Sequence, residues 1–307
     1  SVVVNDRKMG VTWKAPKSSI TLNRGSAGIA GRAQFELLLG KQRANVTLNG
    51  HFHAVREEMF LTFGFTDVSP LQIAGLSKQF ETLRHFDAPV TGAVAVRVSQ
   101  NGVFESVDFD LESDTGRLVI PGPFGTKVAI QSARFKGSFD NARSLLDIEH
   151  ASMDLGERGS LDLPRPVSHR LPMRGISISA KYWLGTETFQ VENFVADLAG
   201  PRVEARGVVQ EIAGEKSFEL KATAHQFEMN TLRSYWPADI ASVAREWILK
   251  NLSDGIAPQA RAAISGRWSD NNGFFLDTLI GDMEAQGFTV DYLSPMPPAK
   301  NVSKTTK

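Results

Sequence analysis

The sequence predicts a mostly β fold: an elongated, curled antiparallel sheet with a groove-like, β-taco cross-section. Degenerate hairpin repeats build it, and two accessory amphipathic helices complete it. Three observations predict this. Apolar and polar residues alternate in stretch after stretch, turn residues separate the stretches at short intervals, and only two segments carry helical spacing. The clearest stretch is Ser106-Val107-Asp108-Phe109-Asp110-Leu111-Glu112. Successive side chains of a strand point to opposite faces, so Val107, Phe109 and Leu111 share one face and the three acids share the other.

The same pattern recurs at 18–22, 27–38, 43–54, 57–67, 91–99, 103–113, 116–120, 126–136, 142–149 and 159–163. It continues at 174–182, 187–198, 202–210, 216–226, 258–268, 273–283 and 286–293. Turn signals such as Gln100-Asn101-Gly102, Asp114-Thr115-Gly116, Ala213-Gly214-Glu215 and Asp270-Asn271-Asn272-Gly273 join neighbouring stretches. Links this short make consecutive strands antiparallel. Three glycine-led hairpins, starting at Gly137, Gly175 and Gly266, repeat one another loosely, as a hairpin-scale repeat with insertions does.

Two helices interrupt the strands. Ser69-Pro70 is a capping residue followed by proline, and Ile73, Leu76, Phe80 and Leu83 carry helical spacing to about Arg84. The second helix runs from Asn230 to Leu252 with a break or kink at Trp236-Pro237. Its stripe is Ile240, Val243, Ala244, Trp247 and Ile248, its polar side Arg245, Glu246 and Lys250, and Gly255 is its stop. The expected organisation of 1–307 is one β-groove segment of a larger protein. First strands and a helix occupy 1–87, central repeat strands 88–229, a helix insertion 230–256, and further strands and a truncated end 257–307.

Composition excludes several functions. The chain has 34 basic and 34 acidic residues, which gives no electrostatic case for nucleic acid. It has no cysteine, which removes disulfides, thiol catalysis and thiolate zinc sites together. At 42% hydrophobic residues it is no disordered chain, and no run reaches the roughly 18 apolar residues of a membrane span. An export signal or anchor is expected outside the given residues.

The motifs are weighed against ordinary structural roles. His51 and His53 form a His-x-His pair without a third ligand in the pattern, so a solvated strand face accounts for them. Asp108/Asp110 and Asp147/Glu149 lie on polar faces, whereas paired carboxylate catalysis needs one acid in an apolar setting across a cleft. Gly25-Ser26-Ala27-Gly28 lacks the nucleophile-elbow spacing, and no phosphate-binding loop is present. The expectation is a protein that is not an enzyme and needs no cofactor or metal. Trp13, Trp183 and Trp268 would serve as carbohydrate platforms only above a carboxylate pair, which is missing.

The string Ala88-Pro-Val-Thr-Gly92, Gly116-Arg-Leu-Val-Ile-Pro121, Ala133-Arg-Phe-Lys-Gly137-Ser-Phe-Asp140 and Leu146-Asp-Ile148 leads to Tyr235-Trp-Pro-Ala-Asp-Ile240. Then follow Ala244-Arg-Glu-Trp-Ile248 and Asn251-Leu-Ser-Asp-Gly255. Together these resemble the bacterial AsmA-like proteins of the YhdP type, in the superfamily that includes TamB, over roughly residues 85 to 300. The resemblance implies a periplasmic segment tethered to the inner membrane through a part outside this chain. It implies a bridge-like role in moving phospholipid to the outer membrane, or in outer-membrane biogenesis. The partners implied are phospholipids, inner- and outer-membrane components and adjoining segments of the same full-length chain.

Elementary energetics point the same way. Burying a methylene is worth ~0.8 kcal/mol, so exposing an acyl chain of about sixteen carbons costs on the order of 12 kcal/mol. A ten-residue strand spans about 33 Å, enough to curl around a lipid tail, and about fifteen strands make an array on the order of 70 Å long. The expected lipid-contacting residues are Val94, Val96, Val98, Val107, Phe109, Leu111, Leu118, Ile120, Val128, Ile130, Ile176, Ile178, Phe189, Val191, Val203, Phe218 and Leu220. The alternative is a non-conducting scaffold or assembly factor whose apolar face closes into a sandwich core.

Overall fold

A computed structural model describes residues 2–6, 10–26, 28–39, 42–120, 127–163, 169–212, 214–269, 273–292 and 295–304. The protein is mostly β, 68% strand and 11% helix, with 17 strands in a large antiparallel sheet. Its contacts divide it into two units, one of residues 1–120 and 129–153 and one of residues 121–128 and 154–307.

The strands of the first unit begin with β1 (Val2–Asp6), β2 (Val11–Ala15), β3 (Lys17–Gly25), β4 (Gly28–Leu39), β5 (Gln42–His53) and β6 (Glu58–Val68). Then come β7 (Phe86–Asp87), β8 (Val90–Ser99), β9 (Phe104–Ser113) and β10 (Gly116–Val119). After β11 (Lys127–Ile130), whose residues divide between the units, the first unit closes with β12 (Ser132–Asp140) and β13 (Leu145–Asp154). Its main sheet runs β3-β4-β5-β6-β8-β9-β12, all antiparallel.

Register turns the sequence alternation into rows that cross this sheet. One row is Ile20–Ala33–Leu48–Phe63–Val94–Phe109–Gly137, and the next is Leu22–Gly31–Gly50–Leu61–Val96–Val107–Phe139. A third is Ser18–Phe35–Val46–Phe65–Gly92–Leu111–Phe135. The opposite face carries the charges, with Arg134 paired to Asp110 at 3.2 Å and Lys136 to Glu149 at 2.8 Å. The carboxylate of Glu149, through its hydrogen bond first and its charge second, holds the Lys136 ammonium above its usual range.

Large side chains in these rows sit opposite glycines. Phe109 faces Gly137, and a Cβ there would lie 3.0 Å from the Phe109 ring and 2.2 Å from the Asp147 carbonyl oxygen. The ring therefore occupies the space of the missing side chain, one use of glycine inside a strand.

The second unit continues with β14 (Ser160–Leu163), β15 (His169–Pro172), β16 (Gly175–Trp183), β17 (Thr188–Asp197), β18 (Arg202–Ile212) and β19 (Glu215–Glu228). It ends with β20 (Leu252–Ser253), β21 (Ile256–Ser269), β22 (Gly273–Met283), β23 (Ala285–Val290) and β24 (Ala299–Lys304). Its main sheet runs β16-β17-β18-β19-β21-β22, again antiparallel. The apolar rows are Tyr182–Phe189–Val209–Phe218–Gly266–Leu276 and Ala180–Val191–Gly207–Leu220–Ile264–Leu279. Two more rows, Ile178–Phe194–Ala205–Ala222–Ala262–Gly281 and Ile176–Ala196–Val203–Ala224–Ala260–Met283, are half alanine.

The helices depart from the sequence expectation. Ser69 caps α1 as expected, its hydroxyl accepting from the Gln72 N–H, but α1 spans only Pro70–Ala74. Gly75 ends it, and Lys78–His85 is a separate 3-10 helix capped by Ser77. The second expected helix is broken more widely than a kink. A 3-10 turn Met229–Thr231 and α2 (Leu232–Tyr235) are separated from α3 (Ser242–Asn251) by non-helical backbone. Gly255 is no helix stop but a left-handed residue (φ +68°) between β20 and β21.

The inward face of α3 also differs. Val243 and Trp247 are 82% and 54% exposed, while Ile248 and Leu249 pack against the core. Arg245 turns inward, its Nε donating to the Trp236 carbonyl at 2.9 Å, which fixes the rotation of the helix. Two strand expectations change as well. The stretch 126–136 is split between β11 and β12 by a bend at Gln131, and the polar tail forms β24. The expected turn at 270–272 lies outside the described residues.

Candidate functional site

In the first unit, one end of the apolar sheet face is covered by short elements. Trp13 of β2, Pro70 and Ile73 of α1, Leu83 of the 3-10 helix, Phe86 of β7 and Leu118 of β10 lie across Leu37, Val46, Phe63, Phe65, Leu111 and Phe135. Between the cover and the sheet is a cavity of about 580 Å³, within the ordinary size range of small-molecule sites. Its lining is almost wholly aliphatic and aromatic, with Glu112, Ser113, Arg134 and Ser152 as its polar members.

Local sequence explains the cover. Pro70 follows its cap and starts α1; Gly75 then lets the chain turn so that the 3-10 helix delivers Leu83 and β7 delivers Phe86. β7 is held by β10, with Leu118 opposite Phe86 and Arg117 bonded to Asp87 at 2.6 Å. Beside the cavity, Leu39, Ala44 and Val68 form a small buried cluster with Trp13, Phe65, Ile73 and Leu76 against it.

Beyond this end the apolar rows are less covered. Ile20 and Leu22 on β3 are 58% and 71% exposed, and Phe104 on β9 is 61% exposed. Val94, Val96, Val107, Phe109 and Leu111 are half-buried, and Phe109 stacks on Phe135 with ring centres 4.7 Å apart. Contiguous partly exposed apolar surface of this kind marks an interaction site more often than a simple exterior.

The expected lining residues fall into three groups. Val94, Val96, Val98, Val107, Phe109 and Leu111 share the apolar face of the first unit. Ile176, Ile178, Phe189, Val191, Val203, Phe218 and Leu220 share the apolar face of the second. The remaining four are not on these rows: Leu118 lies in the cavity cover, Ile120 is half-buried beyond β10, and Val128 and Ile130 are buried in β11. Only Leu111 and Leu118 of the whole set line the cavity. Trp13, Leu37, Val46, Phe63, Phe65, Ile73, Leu83 and Phe86 are among its other members, and of these the strand pattern points to the sheet residues alone.

In the second unit the comparable end is filled. Met229, Leu232, Ala257 and Phe288 form a buried cluster with Trp236, Ile248, Leu249 and Leu252 packed against it. Phe288 is 2% exposed, and Gly255 lies against it: a Cβ on Gly255 would meet the Phe288 ring at 2.2 Å. Tyr235 sits at the edge of this packing, where burial first and the Glu228 charge second push its hydroxyl above the usual range. Two pockets of this unit, about 610 Å³ and 860 Å³, are lined by charged residues such as Glu192, Arg206 and Lys221, and the larger also by Val191, Leu220 and Ile264 of the apolar rows.

Elsewhere the histidine pair is ordinary. His51 stacks on Phe60 at 4.9 Å, and His53 Nδ1 accepts from the Arg56 N–H at 3.3 Å. Among the described residues no group of three His, Asp or Glu side chains converges as a metal site would require. No helix among them is long and apolar enough to cross a membrane. No family model, no curated protein and no solved structure matches this chain.

Proposed function

We propose that the chain shields lipid acyl chains along the apolar face of a grooved β-sheet, as one segment of a protein that moves phospholipid between two membranes. The observation that carries this is an ordered apolar face left short of protein cover. A sandwich core would bury large side chains from two facing layers. Among the described residues the largest fully buried side chains are Phe288 and Ile130, and neither belongs to the cross-sheet rows. The covered end in the first unit supports the same reading, since it holds an apolar cavity and not a packed interior.

The resemblance to AsmA-like proteins supplies the setting. In this reading the segment is periplasmic and joined to the inner membrane through adjoining parts of a longer chain, with phospholipid passing toward the outer membrane. Such a role needs no reaction and no cofactor, only continuity of hydrocarbon-like surface.

The test replaces both Phe109 and Leu111 with Asp. Purified native chain is expected to carry phospholipid into an organic extract read by mass spectrometry. The double variant is expected to keep its β-sheet circular dichroism and lose most of that lipid. A folded variant with unchanged lipid would refute the reading.

A further inference from the structure

The apolar cavity of the first unit shares part of its wall with a second, polar pocket. Glu112, Ser113, Ala133, Arg134 and Ser152 line both. The polar pocket, about 300 Å³, adds Asp67, Thr91, Asp114 and Ser132. Register explains the junction. Leu111 and Phe135 make one rung of the apolar face, Ser113 and Ala133 make the next, and β9 ends at Ser113. The hydrocarbon-like row therefore stops at Ser113, whose hydroxyl donates to the Pro89 carbonyl at 2.7 Å.

We infer that this end of the sheet holds the polar end of an amphiphile, and that it selects a head group bearing an ammonium over a purely anionic one. The inference rests on the acyl-shielding reading and names the ligand class of that site. An occupant of the apolar cavity has its polar neighbours at this shared wall, so its tail lies toward Trp13 and Ile73 and its head toward Ser113. Charge then sets the class. Asp67, Glu112 and Asp114 line the polar pocket and have no ion-pair partner among the described residues. Arg134, the one cation among the described lining residues, is already bonded to both carboxylate oxygens of Asp110 at 3.2 and 3.3 Å. A phosphate alone would meet the three carboxylates, whereas an ammonium-bearing head presents its cation to them.

The experiment incubates the native chain with equimolar phosphatidylethanolamine and phosphatidylglycerol vesicles, re-isolates the protein and quantifies bound lipid by head group. Phosphatidylethanolamine is expected to be enriched about threefold, the scale of a partly exposed ion pair. In the double variant Asp67→Asn, Asp114→Asn the enrichment is expected to fall to parity. Free phosphoethanolamine is expected not to displace the lipid, because the tail supplies most of the binding; displacement would assign the pocket to a free amine. Lipid bound at parity, or enriched in phosphatidylglycerol, would overturn the head-group inference alone. No lipid of either kind bound would overturn the acyl-shielding reading itself.

Discussion

The two units use the same antiparallel ladder and finish its apolar face in opposite ways. In the first, the rows carry Phe63, Phe65, Phe109, Leu111 and Phe135, and a thin cover of short elements leaves about 580 Å³ of apolar space against them. In the second, alanines and glycine take the corresponding places in two rows, among them Ala205, Ala222, Ala262 and Gly281. There the helical insertion closes on Phe288, which is 2% exposed in a packed cluster. The lesson is that strand alternation makes a greasy face but does not decide its use. Residue size along the rows, and the fit of the covering segment, decide that.

The comparison breaks most sharply at Phe288. Phe288→Ala removes a fully enclosed ring from a packed cluster and is expected to cost about 3–5 kcal/mol. Urea denaturation followed by circular dichroism checks this, and lipid carriage by the first unit is expected to persist in the surviving native fraction. Phe63→Ala sharpens the comparison from the other side. Its ring is half-buried and borders space that is already empty, so the expected loss is roughly 1–2 kcal/mol, well below that for Phe288. Equal losses at the two positions would mean that the first unit is as tightly filled as the second.

Much of this organisation was legible in the sequence, for a physical reason. A strand writes its face assignment locally, every second residue, so alternation alone puts Val94, Val96 and Val98 on one face of their strand and Val107, Phe109 and Leu111 on one face of theirs, and register joins the two. Register then added what alternation cannot carry. Ile20 and Leu22 belong to the same rows although β3 is polar enough to have yielded only 18–22 as a strand. The cavity was the least legible part. Trp13, Ile73, Leu83 and Phe86 come from four separate short elements, and nothing local to any of them says that they meet over Phe65. The helix errors have local causes that periodicity overlooks. Gly75 ends α1 after five residues, and the Arg245 hydrogen bond to Trp236 rotates α3 away from its most apolar stripe.

The smallest expected effect lies on the polar face of the second unit. Arg267 bonds Asp277 through two nitrogens at 2.9 and 3.0 Å, and this hydrogen bonding holds the Asp277 carboxyl below its usual range. A carboxyl with a lowered folded value stabilises the fold above its unfolded pKa and loses that contribution as pH falls through the folded value. Asp277→Asn is therefore expected to lower the urea midpoint slightly at pH 7 and not at all in strong acid. Both groups are exposed, so the difference is small and shrinks further in salt.

The pairing of a large ring with a glycine on the next strand recurs in both units: Phe109 faces Gly137, and Phe218 faces Gly266, where a Cβ would come within 2.7 Å of the Phe218 ring. Anyone seeking to harden this protein by swapping weak strand formers for valine would choose those glycines early. Each such swap would evict the aromatic opposite it, so the residues that look most expendable are the ones an engineer must leave alone.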